Sequence, residues 1–354
     1  MLLIMQPANS KLIEIILFSN EVINSLEDKD DFGAAAGILL KQQQTKWDKI
    51  IEGYNSLKAV QTKYFEFDGF RINVQFNPNR IISSSATVDE NSIKKRKCFL
   101  CIDNLFEDQK GLIYSHEYII LANPYPIFPE HFTVSNVNHF PQRINDIFHV
   151  LLSLSKSTSK YFTVFYNGPK CGASAPDHLH FQAGNKYFMP IDKDYPQLKK
   201  QYGEILFEEY GFTVTAVNDN LRRFIAFEGE SEEVLIYAFS LFFETYSLLQ
   251  KYEDEPMMNI LSSFETGKGW RIIIFLREKH RPSHYYAAGD KNILLSPAAV
   301  DLGGVCITPR ETDFAKITKD HLLEILNEVS VGKDFFKSFK LILRKNLNKL
   351  FLAH

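Results

Sequence analysis

Apolar residues at helical spacing open the chain. Leu12, Ile15, Ile16 and Ile23 recur at three- and four-residue steps over residues 9–27, with Ser10 placed to cap the first turn. Leu39, Leu40, Trp47, Ile50 and Ile51 continue the period and predict a second helix over 34–58. At Phe70-Arg-Ile-Asn-Val-Gln-Phe76 the period shortens to two, which predicts a strand. That strand runs into Asn77-Pro78-Asn79-Arg80 and the hydroxyl-rich Ser83-Ser84-Ser85. Residues 87–97 are polar and end in Lys94-Lys-Arg-Lys97, which reads as a solvated loop. Leu112 to Leu121 predicts a hairpin strand, and Phe132-Thr-Val-Ser135 another strand. Ile144, Ile147, Phe148, Leu151 and Leu152 share one face of a helix over 141–158, and Tyr161-Phe-Thr-Val-Phe-Tyr166 is again β-branched and aromatic.

Polarity rises through Asp192, Lys193, Asp194 and Pro196, which marks a boundary. Beyond it the pattern predicts a short helix over 196–207 and strands at Phe212–Ala216 and Arg223–Phe227. A strongly apolar helix from Glu232 to Tyr252 follows. Met257–Phe264 and Trp270–Phe275 predict a hairpin about Gly267 and Gly269. Gly303-Gly304-Val305-Cys306-Ile307 reads as a further strand of that second sheet, and two basic helices close the chain after about residue 317. The element order is that of an α+β protein. It divides into a helical extension over 1–65, a first half over 66–195 and a second half over 196–354 that repeats the strand–helix–strand grammar.

The chemistry concentrates in Cys171-Gly-Ala-Ser-Ala-Pro-Asp-His-Leu-His-Phe-Gln-Ala-Gly184. His178, His180 and Gln182 are two apart, so a strand would project all three from one face, with Leu179 and Phe181 turned to the core. Asn167-Gly168-Pro169 ends the preceding strand. Gly172, Ala173 and Ser174 are small enough for backbone N–H groups to approach an anion closely. Two imidazoles and an amide behind such a loop suit attack on phosphorus. Arg277, Lys279, His280, Arg281 and His284 cluster after the Trp270 strand and would suit a phosphate or sugar phosphate. Cys98-Phe-Leu-Cys101 can hold one tetrahedral metal if two further ligands arrive from elsewhere; no thioredoxin-like pattern surrounds it.

Composition narrows the setting. The chain has 354 residues, 45% apolar and 14% aromatic, enough for a sizeable core and well suited to sheets. A net charge of −3 gives no reason to expect nucleic acid or an anionic membrane as partner. Met1-Leu-Leu-Ile-Met5 is too short for a signal peptide, no run is long enough to span a bilayer, and the four cysteines form no disulfide framework. A cytoplasmic monomer or homodimer is expected.

The His-Leu-His-Phe-Gln stretch, with Asn-Gly and Gly-Ala-Ser in register before it, resembles the nucleotidyltransferase branch of the histidine triad superfamily. That branch holds the galactose-1-phosphate uridylyltransferases, diadenosine tetraphosphate phosphorylases and GDP-L-galactose phosphorylases. The resemblance implies antiparallel sheets flanked by helices in two histidine-triad-like halves, only the first catalytic. It implies His180 as the nucleophile of a nucleotidyl-histidine intermediate and Gln182 as a hydrogen bonder to its phosphate. The second step would pass the nucleotidyl group to phosphate or a sugar phosphate. Hydrolases of the superfamily carry a third histidine where Gln182 stands. A hydrolase and a zinc-stabilised nucleotide-binding protein without turnover are the competing readings. Uridylyltransferases hold a structural zinc through CxxC, a later histidine and the first histidine of the pair. By that likeness Cys98, Cys101, His139 and His178 are the ligands, with His131 the alternative to His139. Asn123, in Asn123-Pro124-Tyr125-Pro126, would grip the nucleoside, and Arg80 would meet a phosphate. The likeness departs in one extra residue between Ser174 and His178 and in Leu179, where uridylyltransferases have proline. It extends over about residues 70–185, is weaker beyond, and leaves the first 65 residues without assigned chemistry.

Overall fold

The computed structural model describes residues 10–81, 89–209, 211–251 and 255–351; the serine run at 83–85 and Tyr252 lie outside the described residues. Two helical blocks begin the chain. Helix α1 covers Ser10–Asn24. The second expected helix is broken into α2, Phe32–Lys46, and α3, Asp48–Leu57. The break is Trp47, which takes an extended conformation (φ −121°, ψ 104°) and is buried against Phe106. Burying a large ring there outweighs one more helical residue, a tertiary effect that periodicity does not carry.

Among the described residues thirteen strands follow: β1 Gln61–Phe67, β2 Phe70–Phe76, β3 Gly111–Tyr114, β4 Tyr118–Ala122, β5 His131–Asn136, β6 Phe162–Asn167, β7 His180–Asn185, β8 Gly203–Glu209, β9 Phe212–Asn218, β10 Arg223–Gly229, β11 Met258–Glu265, β12 Gly269–Leu276 and β13 Val305–Thr308. Ten of them form one sheet in the order β3-β4-β5-β7-β6-β11-β12-β10-β9-β8, and all its pairings are antiparallel. Five strands from residues 111–185 thus join five from 203–276 through the β6–β11 pair, where Asn259 lies opposite Asn167.

Successive residues of β6 serve opposite faces, as the pleat requires. Val164 and Tyr166 pack into one core with Phe148, Phe239 and Phe339, under the helices Phe148–Ser157, Glu232–Gln250 and Lys333–Phe351. Phe165 packs into the other core with Ile72 and Val74 of β2, Ile191 and Leu198 of the helix Ile191–Tyr202, and Leu322 and Ile325 of the helix Lys319–Val329.

Five further expectations are corrected. The stretch 87–97, expected as a loop, contains a short helix at Glu90–Lys95. The strand at 303–307 does not join the second-half sheet: β13 pairs in parallel with β2 in a small three-stranded sheet, β1-β2-β13, over the second core. The helix expected over 196–207 runs instead from Ile191 to Tyr202, and residues 203–209 form β8. Pro196 inside it removes the donor that would meet the Asp192 carbonyl; Arg271 Nη2 donates to that carbonyl at 3.0 Å instead. The helix expected from 141 begins at Phe148, after a 3₁₀ turn at Asn145–Ile147. His178 does not lie on the strand of His180, because β7 starts at His180 and His178 belongs to the turn before it, its N–H bonded to the Ala175 carbonyl at 3.1 Å.

Candidate active site

Leu179 and Phe181 are buried in the first core, and Phe181 meets the rings of Tyr118 and Tyr166. Their neighbours His180 and Gln182 therefore face the opposite side of the sheet. There they line a cavity of about 510 Å³ together with Arg80, Asn123, Asn167, Gly172, Ala173, Ser174 and Arg281. Nine of the residues singled out for nucleotide chemistry thus meet around one hollow.

The imidazole of His180 is fixed as a nucleophile requires. Its Nδ1 lies 2.8 Å from the carbonyl oxygen of His178. A carbonyl only accepts, so Nδ1 carries the proton and Nε2 keeps its lone pair for the cavity. Burial pulls the ring's pKa down to about 4, so it is neutral at physiological pH. The strand start is clamped by Gln142. Its Oε1 accepts from His180 N–H at 2.8 Å, and its Nε2 donates to the His180 and Asn167 carbonyls at 2.9 and 3.0 Å. Gln142 was not singled out in the sequence; nothing in its local pattern marks it.

Two side-chain amides are oriented by neighbours that already occupy their oxygens. Gln182 Oε1 lies 3.0 Å from His131 Nε2. The Nδ1 of His131 accepts from Ile127 N–H at 3.2 Å, so its Nε2 is the protonated nitrogen and donates to Gln182. Burial, with Arg80 nearby, lowers the His131 pKa to about 3. The Gln182 NH₂ is left to serve the cavity. Asn167 Oδ1 accepts from Asn259 Nδ2 at 2.8 Å and from Ala299 N–H at 2.9 Å, which likewise leaves its NH₂. Asn259 is held in turn by Arg277 Nη1, 2.5 Å from its Oδ1.

That last contact corrects the reading of the basic cluster. Arg277 is fully buried and does not line the cavity; it binds the Val329, Pro297, Lys279 and His280 carbonyls and reaches the site only through Asn259. Lys279 is also elsewhere, paired with Glu328 at 3.0 Å. His284 lies 3.2 Å from Glu324. Only His280 and Arg281 of the cluster border the cavity, with Arg281 donating to Ser296 and stacked 4.2 Å from the Tyr285 ring. Arg80 does border it, its Nη1 anchored 2.9 Å from the Tyr125 carbonyl. Asn123 also borders it, but its amide is engaged with Thr133 and Tyr125 N–H in a turn. Gly172 has φ +95°, and a Cβ there would meet Ala298 at 2.6 Å, so the loop before His178 is pressed against the second half. Lys49 of α3 also borders the cavity, 4.4 Å from the Phe106 ring centroid and 5.1 Å from that of Tyr125. The helical extension therefore contributes to the site, contrary to its reading as a segment without chemistry.

Cys98, Cys101, His139 and His178 converge beside the cavity, their ligand atoms all within 4.8 Å of one another. The Cys98 Sγ–His178 Nδ1, Cys101 Sγ–His139 Nδ1 and Cys101 Sγ–His178 Nδ1 distances are 3.3, 3.2 and 3.6 Å. A tetrahedral zinc with ordinary Zn–S and Zn–N bonds sets such pairs about 3.6 Å apart. His178 Nε2 lies 2.8 Å from the Asn136 carbonyl, which accepts from it, so Nε2 carries the proton and Nδ1 is left for a metal. The residues present thus fit a Cys₂His₂ metal. His131, the alternative third ligand, is committed to Gln182 instead.

The architecture is shared with solved structures of another protein. Solved structures of the yeast Ap4A phosphorylase Apa2, free and in complex with AMP, superpose with TM-scores of 0.53 and 0.52. They are 16% and 18% identical to this chain and cover 80% and 82% of it, and 96% of the yeast chain in each case. The α+β fold expected from the sequence, antiparallel sheet flanked by helices, is therefore borne out. Residues 39–185 match the model of a domain of unknown function, DUF4922, and residues 196–350 match the model of the GDPGP1-like C-terminal domain. No curated protein matches the sequence. Among the described residues no helix is long and apolar enough to cross a membrane.

Proposed function

We propose that this protein is a nucleotidyltransferase or phosphorylase of the histidine-triad type. Its donor is a nucleoside diphosphate sugar or a dinucleoside polyphosphate, and its acceptor is phosphate or a sugar phosphate. The observation that carries the reading is the state of His180: neutral, protonated on Nδ1 against the His178 carbonyl, with Nε2 free at a cavity lined by two outward-facing amides. The GDPGP1-like domain and the Ap4A phosphorylase fold support the same class.

His180 Nε2 attacks the α-phosphorus of the donor in line. A P–N bond forms, the P–O bond to the rest of the donor breaks, and the electron pair leaves with that oxygen. The His180 ring then carries a positive charge, which the Nδ1–H···O=C bond to His178 spreads. An acceptor phosphate oxygen next attacks the same phosphorus, and the P–N bond breaks to restore the imidazole. A neutral nucleophile avoids repulsion by the anionic phosphate oxygens, and pre-aimed donors stabilise the equatorial charge without reorganising. Asn167 and Gln182 are those donors. A zinc held by Cys98, Cys101, His139 and His178 would have a positioning role: it fixes His178, whose carbonyl sets the His180 tautomer.

Intact-mass measurement after incubation with a panel of nucleotide donors tests the reading. The wild type is expected to gain one nucleotidyl mass that His180→Ala does not gain, and to lose it on addition of phosphate or a sugar phosphate. Free mononucleotide released without acceptor, with no His180-dependent adduct, would overturn it in favour of hydrolysis.

A further inference from the structure

Arg96 lies in a basic run that reads as a solvated loop, yet it is the member of Lys94–Lys97 that lines the cavity. Its guanidinium is divided between two tasks. Nη2 donates to Asp177 Oδ1 at 2.6 Å, with the Ser174 carbonyl at 3.5 Å, and the group stacks 5.2 Å from the Phe99 ring centroid. Nη1 is buried and has no hydrogen-bond partner among the described residues. Buried charged N–H groups are normally matched by an acceptor, so this one is placed to take an acceptor from a bound ligand. The spot borders a cavity built for an anionic ligand.

Which part of that ligand Arg96 meets follows from where the other donors stand. Asn167 and Gln182 lie on β6 and β7 beside His180, so they serve the phosphorus that His180 attacks. Arg96 comes instead from the side of Ser174, in the loop before the histidines. We propose that Arg96 binds the phosphate next to the α-phosphate in the donor, the group that departs when the P–N bond forms. The inference rests on the proposed transfer reaction and adds to it a cation at the leaving group. Charge accumulates there as the P–O bond breaks, and a planar guanidinium can bind a carboxylate on one edge and a phosphate on the other. Asp177 is the positioning residue: its Oδ1 holds Arg96 and its Oδ2 lies 3.7 Å from His139 Nε2, which ties the arginine to the Cys₂His₂ cluster.

Equilibrium binding of ADP against AMP, and of GDP against GMP, to the full chain tests the assignment without turnover. The wild type should bind the diphosphate of the preferred base more tightly than the monophosphate. Arg96→Gln should weaken diphosphate binding tenfold or more and monophosphate binding less than twofold, with an unchanged melting temperature. Arg96→Lys should recover part of the loss, and Asp177→Asn should show the same selective loss in milder form. Equal losses for mono- and diphosphates, no loss at all, or a wild type indifferent to the second phosphate would each overturn the proposal. The His180 adduct is read separately by mass, so either reading can fail while the other stands.

Discussion

At the scale of single residues the decisive event is a proton kept on one nitrogen. His180 donates from Nδ1 to a backbone carbonyl, and burial holds its pKa near 4, so the free base persists far below the pH at which an ordinary histidine charges. Attack requires the free base. The acid limb of kcat/KM for donor is therefore expected to stay flat through pH 6 and to fall as the pH drops through about 4. A limb near 6.5 in rapid-mixing rates would show instead that the ring is solvated in the free enzyme. Much of this residue-level chemistry was legible, because spacing alone put His180 and Gln182 on one side of a strand. What spacing could not show is which atom of each amide or ring faces the substrate. That depends on His131, Asn259 and Gln142, which stand far off in sequence and have no motif of their own. Arg277 was misread for a related reason: a cluster of cations gives their number but not their direction, and its guanidinium is spent on backbone carbonyls.

At the scale of elements, the Cys/His cluster gathers a 3₁₀ turn after Cys101, the segment past β5 and the turn before β7. None of these pieces is regular enough to hold itself, which is where a bound metal contributes most to order. Purified wild type is expected to carry about one zinc per chain by elemental analysis, and Cys98→Ser to lose it and melt several degrees lower. Wild-type metal content in the variant would remove the cluster from the account. Element boundaries were the least legible part of the sequence. Trp47 splits one periodic stretch because its ring has a buried place to go. The helix from Ile191 tolerates Pro196 because Arg271 supplies the missing donor from another strand. Both are decided by partners remote in sequence, and a local window does not contain them.

At the scale of the molecule, the two halves share one sheet and one set of buried contacts. Glu255, in the second half, accepts from Tyr166 Oη at 2.8 Å and from Ile144 N–H at 2.6 Å, both in the first. Burial raises its carboxyl pKa to about 8, against an ordinary value near 4.5. The folded state thus binds this proton more tightly than the unfolded chain does, so the stability it confers is complete below about pH 4.5 and declines as the pH rises through about 8. Glu255→Gln keeps an acceptor for the Ile144 N–H and cannot ionise. In urea unfolding its advantage over wild type is expected to be largest at pH 9, to shrink steadily below about pH 8 and to vanish near pH 4.5. Parallel profiles for the two proteins would show that Glu255 ionises freely in place.

The parallel pairing of β13 with β2 has a consequence for biosynthesis. More than two hundred residues separate the partners, and the cavity takes Ile307 from the late one and Asp301 from the turn of helix just before it. A nascent chain that has already exposed both histidines still lacks a wall of its own substrate pocket. Translation must therefore run almost to the last helices before the enzyme can hold a nucleotide, and messages cut short in that region should yield protein that is inert however well its first half has folded.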